Sequence, residues 1–159
     1  MSNLSRNITC LCVLALSAVF CVPASAQNGN RGARERLIGA WHLDRIDVPG
    51  PDGKSEPGSQ PKGMLIYTRD GHMSVQLMYP HSNSALSNEY VLNGYEASFG
   101  SYDVDESAHI VTHHVQGSIT GDLLVGKDLP RKFEFSADGR LLIRSTRADE
   151  HWSVTWERE

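Results

Sequence analysis

His113 and His114 stand side by side in the segment 112–118, Thr-His-His-Val-Gln-Gly-Ser. Successive side chains of a β-strand point to opposite faces, so one imidazole of the pair must face whatever the strand encloses. Imidazole titrates near neutral pH, so an enclosed one can hydrogen-bond a ligand or move a proton. His113 shares its face with Val111 and Val115, whereas His114 shares its face with Ile110, Thr112 and Gln116. An apolar face is expected to turn inward, which selects His113; a polar-lined cavity would select His114.

Other side chains could complete such a site. Tyr67, Tyr79 and Tyr102 lie on candidate strands where a phenol can reach a ligand oxygen. Arg131 and Arg144 offer a cation for a carboxylate or phenolate, and Asp103 or Glu89 could orient a histidine, as proton transfer requires. His113, His114, Tyr102 and Arg131 form the candidate catalytic set; Tyr67, His72, Gln76, Tyr79, Trp152 and Trp156 are the candidate ligand contacts. Each also has an ordinary structural use, as a core hydrogen bond, a plug or a solvated charge.

Several kinds of chemistry are not expected. All three cysteines, Cys10, Cys12 and Cys21, lie ahead of residue 27, leaving the rest of the chain no thiolate nucleophile or disulfide. His109 and His113 are four residues apart on a strand, roughly 13 Å between α-carbons, too far to chelate one ion. No glycine-rich turn links a strand to a helix for phosphate binding, and no nucleophile elbow surrounds any serine. No cofactor and no metal is expected. Arg6 is the one basic residue before 27, so 14 of the 15 Lys and Arg remain against all 19 acidic residues. That scattered, slightly acidic balance argues against nucleic acid as a partner.

The elements that must position these residues read as follows. Residues 1–26 carry Arg6, an apolar run over 8–22 and the small-x-small ending Ala24-Ser25-Ala26, the pattern of a secretory signal cleaved near Ala26. Phe20 precedes Cys21 where a lipoprotein anchor requires a small residue. The run is short for a membrane span, and no second one follows. A periplasmic or secreted protein is expected, with 27–36 as a flexible lead and 37–159 as one domain.

Within that domain, 34–38 makes a helical turn and 39–48 a first strand. The segment 49–62 has four prolines and three glycines and reads as a long loop, a possible lid. Strands 64–68 and 73–79 form a hairpin across Asp70-Gly71, 99–105 and 109–117 a second, 131–135 and 141–146 a third across Asp138-Gly139, and 152–157 the last strand. A short helix is expected over 84–97. Eight antiparallel strands without a βαβ rhythm make an all-β, up-and-down barrel.

Five segments carry a resemblance: Leu37-Ile38-Gly39-Ala40-Trp41, Pro61-Lys62-Gly63-Met64-Leu65-Ile66-Tyr67-Thr68, Asp70-Gly71-His72-Met73-Ser74, Thr112-His113-His114-Val115 and Trp156-Glu157-Arg158. Together they resemble the lipocalin-like domain family over about 37 to 158. The Gly-x-Trp element is similar to the opening of true lipocalins. The resemblance implies a calycin-type barrel with an interior for a small, largely apolar molecule. Barrels of this kind serve as carriers and as cofactor-free isomerases, cyclases or lyases, so the fold does not choose between them. Three functions follow as expectations. The first is binding of a small hydrophobic or aromatic ligand; the second is acid/base catalysis by a cavity histidine; the third is a plugged barrel acting as an interaction module. Trp41 is expected to close one barrel end against a late strand near Arg144 or Arg158. The sequence leaves the oligomeric state open.

Overall fold

Alternating burial along each strand turns one face of the sheet toward a common core. The computed structural model describes residues 32–49, 55–57, 61–80 and 87–159. The expected leader 1–26, residues 27–31 of the lead 27–36, parts of the 49–62 loop and residues 84–86 lie outside the described residues.

Helix α1 (Ala33–Leu37) leads into β1 (Gly39–Pro49), followed by β2 (Ser55–Pro57), β3 (Lys62–Tyr67) and β4 (His72–Met78). Then come β5 (Tyr95–Asp105), β6 (Ile110–Ser118), a short 3₁₀ turn (Gly121–Leu123), β7 (Asp128–Phe135), β8 (Leu141–Ser145) and β9 (Ser153–Arg158). Strands β3 to β9 pair in chain order, all antiparallel, and β1 pairs with both β3 and β9, which closes an eight-stranded barrel. The ninth strand, β2, is an appendage: it pairs with the end of β1 at Asp47, Val48 and Pro49. The 49–62 segment is therefore not wholly a loop. Pro49 and Pro57 take part in this pairing at the sheet edge, where a missing N–H costs least.

The three hairpins stand where turn chemistry puts them. Gly71 adopts φ 91° and Gly139 φ 87°, conformations that side chains disfavour, directly after Asp70 and Asp138. Asp105 accepts hydrogen bonds from the backbone N–H of Ser107 and Ala108 and closes the turn between β5 and β6.

The helix expected over 84–97 is absent from its described part. Asn88 instead accepts hydrogen bonds from the N–H groups of Tyr90 and Val91, and Asn93 and Gly94 take positive φ. These local bonds compete with helix formation, and the chain enters β5 at Tyr95.

Both barrel ends can be distinguished. The hairpin turns β3–β4, β5–β6 and β7–β8 meet α1 at one end. There Trp41 is fully buried, its indole N–H donates to Leu37 O at 2.8 Å, and the Arg158 guanidinium covers the ring at 4.2 Å. Arg158 also donates to the carbonyls of Ile38, at 2.8 Å, and Arg36. Trp41 and Arg158 thus close this end together, while Arg144 is exposed beside Glu134 at 3.2 Å. The longer connections, over their described residues 79–80, 87–94, 119–127 and 146–152, lie at the strand ends opposite α1.

Candidate functional site

Inward-facing positions on β3 to β9 carry an aliphatic and aromatic lining interrupted by a few polar groups. Tyr67 on β3 and His113 on β6 meet inside, phenol oxygen to Nε2 at 2.6 Å. His113 is thus the inner histidine, because Val111, His113 and Val115 form the buried face of β6. Burial, helped by the nearby Arg131 charge, pushes the His113 imidazole down to about 3 and keeps it neutral. Burial also pushes the Tyr67 phenol far above its ordinary range, so it keeps its proton. The phenol hydrogen then goes to Nε2 and the imidazole proton to Nδ1. A base this weak takes a proton poorly at neutral pH.

His114 lies on the outer face and takes no part in the interior. Its Nδ1 stands 2.6 Å from Asp128 and its Nε2 3.0 Å from Asp103, linking β5, β6 and β7 on the surface. Asp103 does orient a histidine, but on the outside of the barrel. The two carboxylates raise the His114 pKa above its ordinary value. Its stabilising contribution is therefore complete below the unfolded value of 6.5 and is lost as pH rises through the folded one. Asp128→Asn is expected to move the His114 titration midpoint back toward 6.5; the imidazole ¹H chemical shifts in NMR against pH would read this. An unchanged midpoint would contradict the bridge.

Parity also removes two expected ligand contacts. On β4, Met73, Val75 and Leu77 turn inward, leaving His72 and Gln76 exposed on the outer face. His72 stands 3.3 Å from Asp70 in the hairpin turn. Gln76 borders a depression of about 390 Å³, alongside exposed Phe99 and Ile119 and buried Ser98. Tyr102 does turn inward, edge-on to Tyr67 at 4.8 Å, and its hydroxyl donates to Thr68 O at 2.8 Å at the α1 end.

The remaining polar groups converge at the end opposite α1. Arg131 on β7 is buried at 5% exposure. Its guanidinium stands 5.0 Å from the Trp152 ring and 5.5 Å from Tyr90, and Nη2 donates to the Tyr90 hydroxyl at 3.2 Å. Glu150 accepts from the Tyr90 hydroxyl at 2.9 Å and from the Trp152 indole at 3.2 Å. Glu89 pairs with Arg147 at 2.9 Å and orients no histidine. Glu96, half-buried, lies directly opposite inward-facing Leu77 in the β4–β5 register. Burial raises its carboxyl to about 7, against the opposing pull of Arg131. Tyr79 is half-buried against the core, and its phenol is raised by burial to about 12. Trp156 is buried, and its indole Nε1 has no hydrogen-bond partner among the described residues.

Sequence reasoning had Arg131, Tyr79, Trp152 and Trp156 but missed Glu96, Tyr90 and Glu150. Glu96 was legible: it keeps the parity of Ser98 and Tyr102, a signal hidden once 84–97 is read as helix. Tyr90 and Glu150 sit in loops, where no period announces the direction of a side chain.

A barrel of eight antiparallel strands, plugged by a short helix and holding polar groups inside, is the architecture of small calycin-type proteins. The family model for the lipocalin-like domain matches residues 38–159, and the chain belongs to that family. Among curated proteins nothing matches the chain in sequence. Among solved structures, it is similar to a redesigned β-barrel, at 11% identity and TM-score 0.44, with 80% of this chain and 96% of that chain covered. It is also similar to a mutant of the fluorescent protein UnaG, at 14% identity and TM-score 0.42, with 79% and 97% covered.

Proposed function

We propose that this chain is an exported lipocalin-like protein that binds a small hydrophobic or aromatic molecule inside its barrel. The observation that carries the reading is the group of polar side chains, Arg131, Glu96 and Tyr79, that β4, β5 and β7 and their connections bring to the end opposite the α1 plug. A core built only for stability is filled by aliphatic side chains, since buried polar groups cost free energy unless fully bonded. Polar groups among apolar walls are what a ligand pocket provides: area for affinity, a few donors and acceptors for orientation. The signal-like segment 1–26 supports export.

Native mass spectrometry of the chain purified from its own host tests this. A non-covalent small molecule released on denaturation is the expected result; a chain that stays empty there and also fails to take up N-phenyl-1-naphthylamine, a neutral fluorescent probe, would overturn it.

Glu96 favours a second reading, cofactor-free proton transfer. Its carboxyl titrates near 7, where a general base works best, whereas His113 is held neutral far below and His114 lies outside. The base of a lyase, isomerase or cyclase on this barrel would be Glu96. In that case Glu96→Gln would carry a bound molecule different in mass or isomeric form from that of the unaltered chain. The same molecule on both would leave binding as the function.

A further inference from the structure

Arg131 is held in place more firmly than it is satisfied. A guanidinium has five N–H donors and does not lose its charge at any ordinary pH. Here Nη1 donates to Pro130 O at 3.3 Å and Nη2 to the Tyr90 hydroxyl at 3.2 Å, and Nε hydrogen-bonds to no described residue. Glu150 stands 4.0 Å from Nη1, beyond hydrogen-bond reach. Its two oxygens are taken by the Tyr90 hydroxyl, the Trp152 indole and, at 3.3 Å, Arg147. The Arg131 side chain is only 6% exposed. A buried cation short of acceptors is costly, and such a group persists where something else completes its bonds.

We propose that Arg131 anchors the carboxylate of a small organic acid, whose apolar or aromatic body lies along the barrel interior. The proposal rests on the barrel-binding reading above and names the chemical class of the ligand. A planar carboxylate matches the guanidinium fork with two parallel hydrogen bonds. The carboxylate supplies acceptors for the N–H groups that the 4.0 Å ion pair with Glu150 leaves unbonded. A dianionic phosphate would bring a second charge beside Glu150 and Glu96 with nothing to neutralise it. The Trp152 and Tyr90 rings, at 5.0 and 5.5 Å, hold the fork in one orientation, and their faces favour a flat ligand body beside it.

The test uses displacement of N-phenyl-1-naphthylamine from the full domain by 2-naphthylacetic acid and by its methyl ester. The acid is expected to bind about tenfold or more tightly than the ester, the worth of a charge-assisted bond. Arg131→Met is expected to abolish that preference while still binding the probe; Arg131→Lys, which keeps the charge but loses the fork, retains part of it. Should the probe bind and acid and ester compete equally in the unaltered chain, the carboxylate proposal falls and the binding reading stands. Should neither the probe nor any displacing ligand bind, the binding reading falls and takes the proposal with it. The acid-to-ester ratio needs no variant, so poor folding of Arg131→Met does not rescue the proposal.

Discussion

Between pH 6.5 and pH 4 His113 is expected to withdraw about 1.4 kcal/mol of folding stability per pH unit, so the stability difference between the unaltered and His113→Leu chains should shift by that amount per unit. Glu96, raised to about 7, acts in the opposite sense in both chains and drops out of the difference. The folded imidazole is depressed from 6.5 to about 3, chiefly by burial and then by the Arg131 charge. Over this window the unfolded chain binds a proton that the folded chain refuses. The stability His113 contributes is therefore whole above 6.5 and falls with the pH toward the folded value. His114 does not confuse the reading. Its pKa is raised, so below 6.5 it is protonated in both states and its contribution is constant. Urea denaturation at pH 7, 6, 5 and 4 gives the slope for each chain. At pH 7 His113→Leu also leaves the buried Tyr67 hydroxyl without its acceptor, a cost of about 1–3 kcal/mol. Adding Tyr67→Phe removes the orphaned group, so the double variant should recover much of that loss, the signature of direct coupling. Equal acid slopes in the unaltered and His113→Leu chains would mean that the imidazole is not buried as described.

Trp41→Ala is expected to destabilise the barrel by about 3–5 kcal/mol, the range for removing a large aromatic side chain from a packed core. The site explains why relaxation cannot absorb the loss. Trp41 has no exposed surface, lies 6.2 Å from Phe135, supports the Arg158 guanidinium at 4.2 Å and donates to Leu37 O. Without the ring, α1 loses the hydrogen bond from Trp41 to Leu37 O, and Arg158 loses the aromatic face beneath its guanidinium. Trp41→Phe retains most of the packing and loses the N–H, so it should cost less, about 1–2 kcal/mol. Denaturant midpoints of the two variants separate packing from hydrogen bonding. Equal losses would assign the role of Trp41 to its N–H alone.

Such variants probe two regions of different legibility. At the plugged end the elements are nearly local in origin. Arg158 ends β9, Trp41 lies near the start of β1 beside α1, and strand pairing joins them as Trp41 opposite Arg158. Their meeting was therefore readable once the chain was taken as a barrel that closes on itself. At the opposite end Tyr90, Glu150 and Trp152 come from connections whose paths depend on backbone turns such as that at Asn88. Parity says nothing about such residues.

By itself the sequence determined what a period of two can determine: the hairpins at Asp70-Gly71 and Asp138-Gly139, the alternating antiparallel strands, and that His113 and His114 face opposite ways, with His113 favoured for the inner face. Each depends on neighbours within a few residues, where sterics and alternation act directly. The same parity places His72 and Gln76 outside once Met73, Val75 and Leu77 face the core. Only the tertiary structure decided that Tyr67 spends its phenol on His113, that Glu96 faces in beneath Arg131's field, and that Arg131 is buried between Tyr90 and Trp152 without enough acceptors. Those partnerships join residues 21 to 46 positions apart across a closed barrel, from Arg131 with Trp152 to His113 with Tyr67. Which side chains meet at that range follows from strand stagger, barrel closure and loop path, and none of these leaves a periodic mark in the chain.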